Sequence, residues 1–158
     1  MHRIDRSDGF TLTEVLIVTV IIGILAAIAI VVFLRERNAA HGASVRADLH
    51  AMATAQESYA TDSVSSGGPL YATAAEIAAI GRPGVSTDDE VFVYTSDQGY
   101  CLVGDSIGTP SYVVYDSQNG GLLPDAVSTL AAAQKVCTDN GYSAAGSIRN
   151  DGSGIHVS

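Results

Sequence analysis

The polarity of the chain changes character several times along its length. From Val15 to Leu34 the apolar residues are interrupted only by Thr19 and Gly23. About twenty residues at the helical rise span roughly 30 Å, the thickness of a bilayer's hydrocarbon core. From Ala39 onward, frequent alanines keep helix propensity high while the pattern becomes two-sided. Val45, Leu49, Met52 and Tyr59 recur at helical spacing, and Arg46, Asp48, His50 and Glu57 fall elsewhere around the axis. Such an amphipathic helix needs a partner for its stripe. The two stretches read as one helix from about Thr11 to about Asp62, on the order of 75 Å long. The breakers in "DSVSSGGPLY" end it.

Beyond the breakers the elements are short. "ATAAEIAAIG" predicts a helix from Thr73 to Ile80 with Gly81 as its stop, and "RPGVSTDDE" a solvated loop. Three β signals follow: "EVFVYT" (90–95), "GYCLVGD" (99–105) and "SYVVYDS" (111–117). Their short connections favour an antiparallel meander, with one face covered by the amphipathic half of the long helix. "DAVSTLAAAQKVC" (125–137) predicts a helix capped by Asp125. The tail from Thr138 is polar and rich in Gly and Ser, with a terminal strand signal only at "IHVS". The fold class is α+β: a long N-terminal helix packed on a small antiparallel sheet.

Charge narrows the functional classes. The net charge is −9, and beyond residue 61 only Arg82, Lys135 and Arg149 oppose the acids. A broad acidic surface repels phosphate backbones, so no direct nucleic-acid binding is expected. Cys101 and Cys137 show no CxxC and no ligand spacing with histidine, so no metal is expected. They read as one disulfide if this region lies outside the cytoplasm, or else as two buried thiols.

The start of the apolar run carries the chemistry. A cleaved secretory signal has a shorter apolar region and a small-residue cleavage site, whereas this run ends at Arg35-Glu36-Arg37. Arg3 and Arg6 before it balance Arg35 and Arg37 after it, which leaves orientation open. Glu14 sits one residue outside the run. It either reaches the headgroups or awaits a cation. Cleavage between Gly9 and Phe10 would create an amine about one helical turn from Glu14. A second copy, shifted by about a turn, would bring its amine to this carboxylate and register two apolar helices.

"GFTLTE" (9–14) followed by the helix containing "IIGILAAIAI" resembles the N-terminus of type IV pilins and pseudopilins. The resemblance covers Gly9 to Ile30 strongly and the remainder in outline. It implies a pilin-like fold and four regions: a leader (1–9), a transmembrane and filament-core helix (10–34), its amphipathic continuation (35–62) and a head (63–158). It implies that a prepilin peptidase cuts after Gly9, that Phe10 becomes the N-methylated terminus, and that Glu14 guides subunits into a homo-oligomeric helical filament. It further implies a single-pass precursor in the cytoplasmic membrane with its head outside, in contact with lipid, then an inner-membrane assembly platform, then an extracellular pilus. With the head outside, Cys101 and Cys137 read as a disulfide. The family often has proline where Val31 stands, so a more continuous helix is expected here.

No enzyme or cofactor is expected. "GDSIG" (104–108) matches a nucleophile-elbow pattern, but a proline and a strand follow where a helix is needed. The only downstream histidine is His156. "YDSQNGGLLPD" (115–125) offers Asp116, Asn119 and Asp125 to a cation but lacks the alternation of a calcium loop. The expected function is a pilin subunit, with a pseudopilin of a type II secretion or DNA-uptake pseudopilus as the alternative. A monomeric signal-anchored acidic binding domain is the rival from another class.

Overall fold

The structure, a computed structural model, describes residues 10–81, 84–106, 111–124 and 126–158. Two compact units divide the chain, one ending at Asn38 and the other running from Ala39 to Ser158. Helix α1, Leu12–Ser66, contributes to both.

In the first unit, α1 continues through Gly23 and Val31 without a break. Its apolar side chains from Val15 to Leu34 are all exposed. By length and composition this helix can cross a membrane. The spanning segment is taken as Val15–Leu34.

The second unit holds the rest of α1 together with α2 (Ala74–Ala79), β1 (Asp89–Thr95), β2 (Tyr100–Ser106), β3 (Val113–Asp116), β4 (Gly121–Leu122), α3 (Leu130–Asp139), β5 (Ser143–Asn150) and β6 (Ile155–Val157). The strands form one antiparallel sheet in the order β4-β3-β2-β1-β5-β6. The meander β1-β2-β3 is present as the Val- and Tyr-rich runs predict. The tail supplies β6 at its "IHVS" signal and one further strand, β5, which lies beside β1. "SAAGSIRN" has little β propensity of its own. Its pairing with β1 and the burial of Ile148 hold it there.

Both faces of the sheet are covered, not one. Val91 and Val93 of β1 and Tyr100 and Leu102 of β2 meet Val45, Leu49 and Met52 of α1, with Ile77 of α2 in the same cluster. Tyr94, Cys101, Val103 and Val114 face the other way, onto Ala133 and Cys137 of α3 and onto Tyr142. Successive strand residues therefore serve opposite cores, which is why β2 is apolar on both faces.

Helix boundaries differ from the sequence reading. Helix α1 runs past Asp62 to Ser66, because the true breakers are Gly67, with φ of 70°, and the glycine and proline after it. Helix α3 begins at Leu130, with Thr129 accepting from the Ala132 amide at 3.3 Å; Asp125 lies outside the described residues. Val127, expected in that helix, instead pairs as a β-bridge with Tyr112. Helix α2 carries a capping box: Thr73 accepts from the Glu76 amide while Glu76 accepts from the Thr73 amide.

Candidate functional site

Helix α1 opens on a second box of the same kind, in "TLTE". The Glu14 amide donates to Thr11 Oγ1 at 3.3 Å. Glu14 Oε2 accepts from the Thr11 amide at 2.9 Å and from its hydroxyl at 2.7 Å. These bonds satisfy amides that a helix N-terminus leaves orphaned, and they hold the carboxylate against the positive end of the helix dipole. Thr-x-x-Glu is a recognisable cap signal in sequence, yet the sequence reading weighed Glu14 only as a headgroup contact or an intermolecular partner.

Phe10 precedes the box and is 86% exposed. Phe10, Glu14 and Val18 follow one another at helical spacing, and with Val15 and Thr19 they line an open groove of about 250 Å³. Both Thr11 donors reach the carboxylate through Oε2, and the groove itself is lined by apolar atoms. Gly9 lies outside the described residues. The arrangement can receive a cation beside apolar side chains.

The other sequence candidates settle as structural elements. Cys101 of β2 and Cys137 of α3 form a disulfide, with Cα atoms 5.6 Å apart, that pins α3 to the sheet. Asp116 is buried and accepts from the Gln118 and Asn119 amides, the Asn119 and Asn140 carboxamides and the Tyr142 hydroxyl. Protein donors thus occupy the oxygens a cation would need. Burial raises its pKa, but these donors outweigh it and hold the carboxyl below its ordinary value.

Ser106 does meet a histidine, though not the downstream one. His41 of α1 places Nδ1 3.1 Å from Ser106 Oγ. Ser106 is 1% exposed, so its hydroxyl is closed to a substrate carbonyl. His156 instead pairs with Asp151 at 3.2 Å in the exposed β5–β6 turn. The loop "STDDE" is not wholly solvated either, since Asp89 is 1% exposed.

Comparison with other proteins points to the same end of the chain as the Glu14 box. The family model described as the prokaryotic N-terminal methylation motif matches residues 4–30. The type IV major pilin protein PilA of Myxococcus xanthus (strain DK1622) is 46% identical over 54 residues, which cover 34% of this chain and 24% of that protein. The match thus spans about a quarter of the length of that relative. Over its N-terminal segment the chain carries the prokaryotic N-terminal methylation motif on a long apolar helix and is similar to a type IV major pilin.

Proposed function

We propose that this chain is a structural subunit that polymerises into a type IV pilus through α1, after cleavage between Gly9 and Phe10 and N-methylation of Phe10. Before assembly it is a membrane-anchored precursor, with the Val15–Leu34 helix in lipid and the head outside. A prepilin peptidase and an assembly platform act on it there. In the filament the lipid is replaced by the same helix of neighbouring copies, and the Phe10 amine of one copy meets Glu14 of another.

The observation that carries this reading is the placement of Glu14. Its carboxylate is held by Thr11 at the head of an uncovered apolar helix, about one helical turn from an exposed Phe10. In a low-dielectric bundle an isolated acid is costly and an incoming ammonium offsets that cost. The local box leaves an oxygen for the ammonium, so capping and docking do not compete.

Mass spectrometry of the protein from cells tests the processing step, with methylated Phe10 as the expected N-terminus. Glu14→Val is expected to spare membrane insertion and stop filament formation. A chain that keeps its first nine residues while working, or normal filaments from Glu14→Val, would leave the monomeric surface-domain reading standing instead.

A further inference from the structure

Where α1 meets the start of β1, the interface turns from apolar to acidic. Asp48 and Asp89 are 4% and 1% exposed. Asp48 accepts from the Ser86 amide at 2.6 Å through Oδ2 and from the Ser86 hydroxyl at 2.8 Å through Oδ1. Asp89 accepts at Oδ2 from the hydroxyl of Ser44, one helical turn before Asp48, at 2.8 Å. Its other oxygen, Oδ1, is the one buried side-chain oxygen or nitrogen among the described residues that has no hydrogen-bond partner. Asp89 acts on Asp48 both through its charge and as a hydrogen-bonding carboxyl.

Two ionised carboxylates offer each other only acceptors, and Asp89 Oδ1 has no donor. A proton between them supplies the missing donor and removes the like-charge repulsion. We propose that Asp48 and Asp89 hold one proton between them, making the seam between α1 and β1 a pH-responsive latch that tightens in mild acid.

Among the described residues, no ion pair reaches either carboxylate. Glu90, Asp105 and Arg149 belong to the opposite face of the sheet, and the Ser147 hydroxyl donates to Glu90. Asp88, Arg46 and His50 are exposed, Asp151 is paired with His156 in its turn, and Arg82 lies outside the described residues. His41 faces this end of the interface and is engaged by Ser106. Two carboxylates are also a sparse set for a metal, and no group of three or more ligating side chains occurs among the described residues.

Burial, reinforced by Asp89, pushes the Asp48 carboxyl up to about 6, against the opposing pull of Ser86. Asp48 belongs to the part of α1 packed on the sheet, outside the spanning segment. An acid with a raised folded pKa binds its proton more tightly in the folded state. The stabilisation is therefore full below the unfolded value of 3.8 and is lost as pH rises through about 6.

The test uses the full chain in detergent micelles, with the unfolding temperature of the head followed between about pH 5 and 7.5. The wild type is expected to lose several degrees across that range. Asp48→Asn carries a built-in donor, so it is expected to unfold at a higher temperature than wild type at the upper pH and to lose the slope. His41→Gln is expected to keep the slope. A slope that survives Asp48→Asn, or vanishes with His41→Gln, overturns the proposal. Should Asp48→Asn fail to fold, carboxyl-carbon NMR of the wild type decides. One of the two aspartates titrating well above the usual carboxylate range supports the latch, and both titrating within it sinks the idea.

Discussion

The carboxamide of Gln56 grips the backbone of Ala72 at both ends. Its Nε2 donates to the Ala72 carbonyl at 2.8 Å, and its Oε1 accepts from the Ala72 amide at 2.9 Å. Both residues are fully buried. The chain leaving α1 is thereby fastened back onto it, as an extra strand would fasten it, and α2 starts from a fixed point. Gln56→Leu fills the volume but orphans two backbone groups. The expected loss is about 2–4 kcal/mol of head stability, read from denaturant unfolding.

Asp116 gathers five donors from three parts of the head, the β3–β4 turn, the end of α3 and Tyr142. Asp116→Ala strands buried donors and is expected to cost roughly 3 kcal/mol or more. Asp116→Asn sets an amide against the Asn119 and Asn140 amides and is only a partial rescue. Because the folded pKa lies below the ordinary 3.8, the stabilisation is present above that value and is lost as pH falls through the folded pKa. Acid unfolding of wild type against Asp116→Asn should show the difference only in that acid range. The Asp48–Asp89 pair has the opposite sign in milder acid.

Gly104 of β2 lets α1 approach the sheet. A Cβ there would run into Val45 Cγ1 and would lie 3.2–3.3 Å from Leu49. Gly104→Ala is expected to push the helix off the strand and cost about 1–3 kcal/mol, with no change in secondary-structure content. Val45→Ala in the same chain should recover part of the loss, which a double-mutant cycle measures.

The Cys101–Cys137 disulfide closes a loop with a sequence separation of 36 residues. Chain entropy puts its contribution at roughly 4 kcal/mol. Replacing both cysteines with serine should lower head stability by about that amount and loosen α3 first, because Cys137 is one of its two buried residues. Hydrogen exchange of the α3 amides is the readout, and unchanged protection would show that Tyr142 and Asn140 hold α3 unaided.

The unbroken apolar run, the acid at its head and the breakers after α1 are local features, and their signals lie within a few neighbouring residues. The same holds for β1, β2 and β3, whose Val and Tyr runs announce strands wherever they pack. The two Thr-x-x-Glu caps are equally local. Asp48 shows where local reading ends. Three residues after Val45 and four before Met52, it shares the buried side of the helix, but its type suggests a solvated residue; the Ser86 that satisfies it arrives from 38 residues away.

Sequence by itself therefore determined the long helix, its apolar half, the position of Glu14 and the antiparallel meander, since each follows from propensity, period or hydrophobic length. Tertiary structure alone decided that "SAAGSIRN" lies beside β1, that α3 covers the second face, that Asp116 is saturated by protein donors, and that two acids are buried where α1 meets β1. Those outcomes depend on which distant segment occupies the neighbouring space, and pairing and burial overrule the weak preferences of the segments themselves.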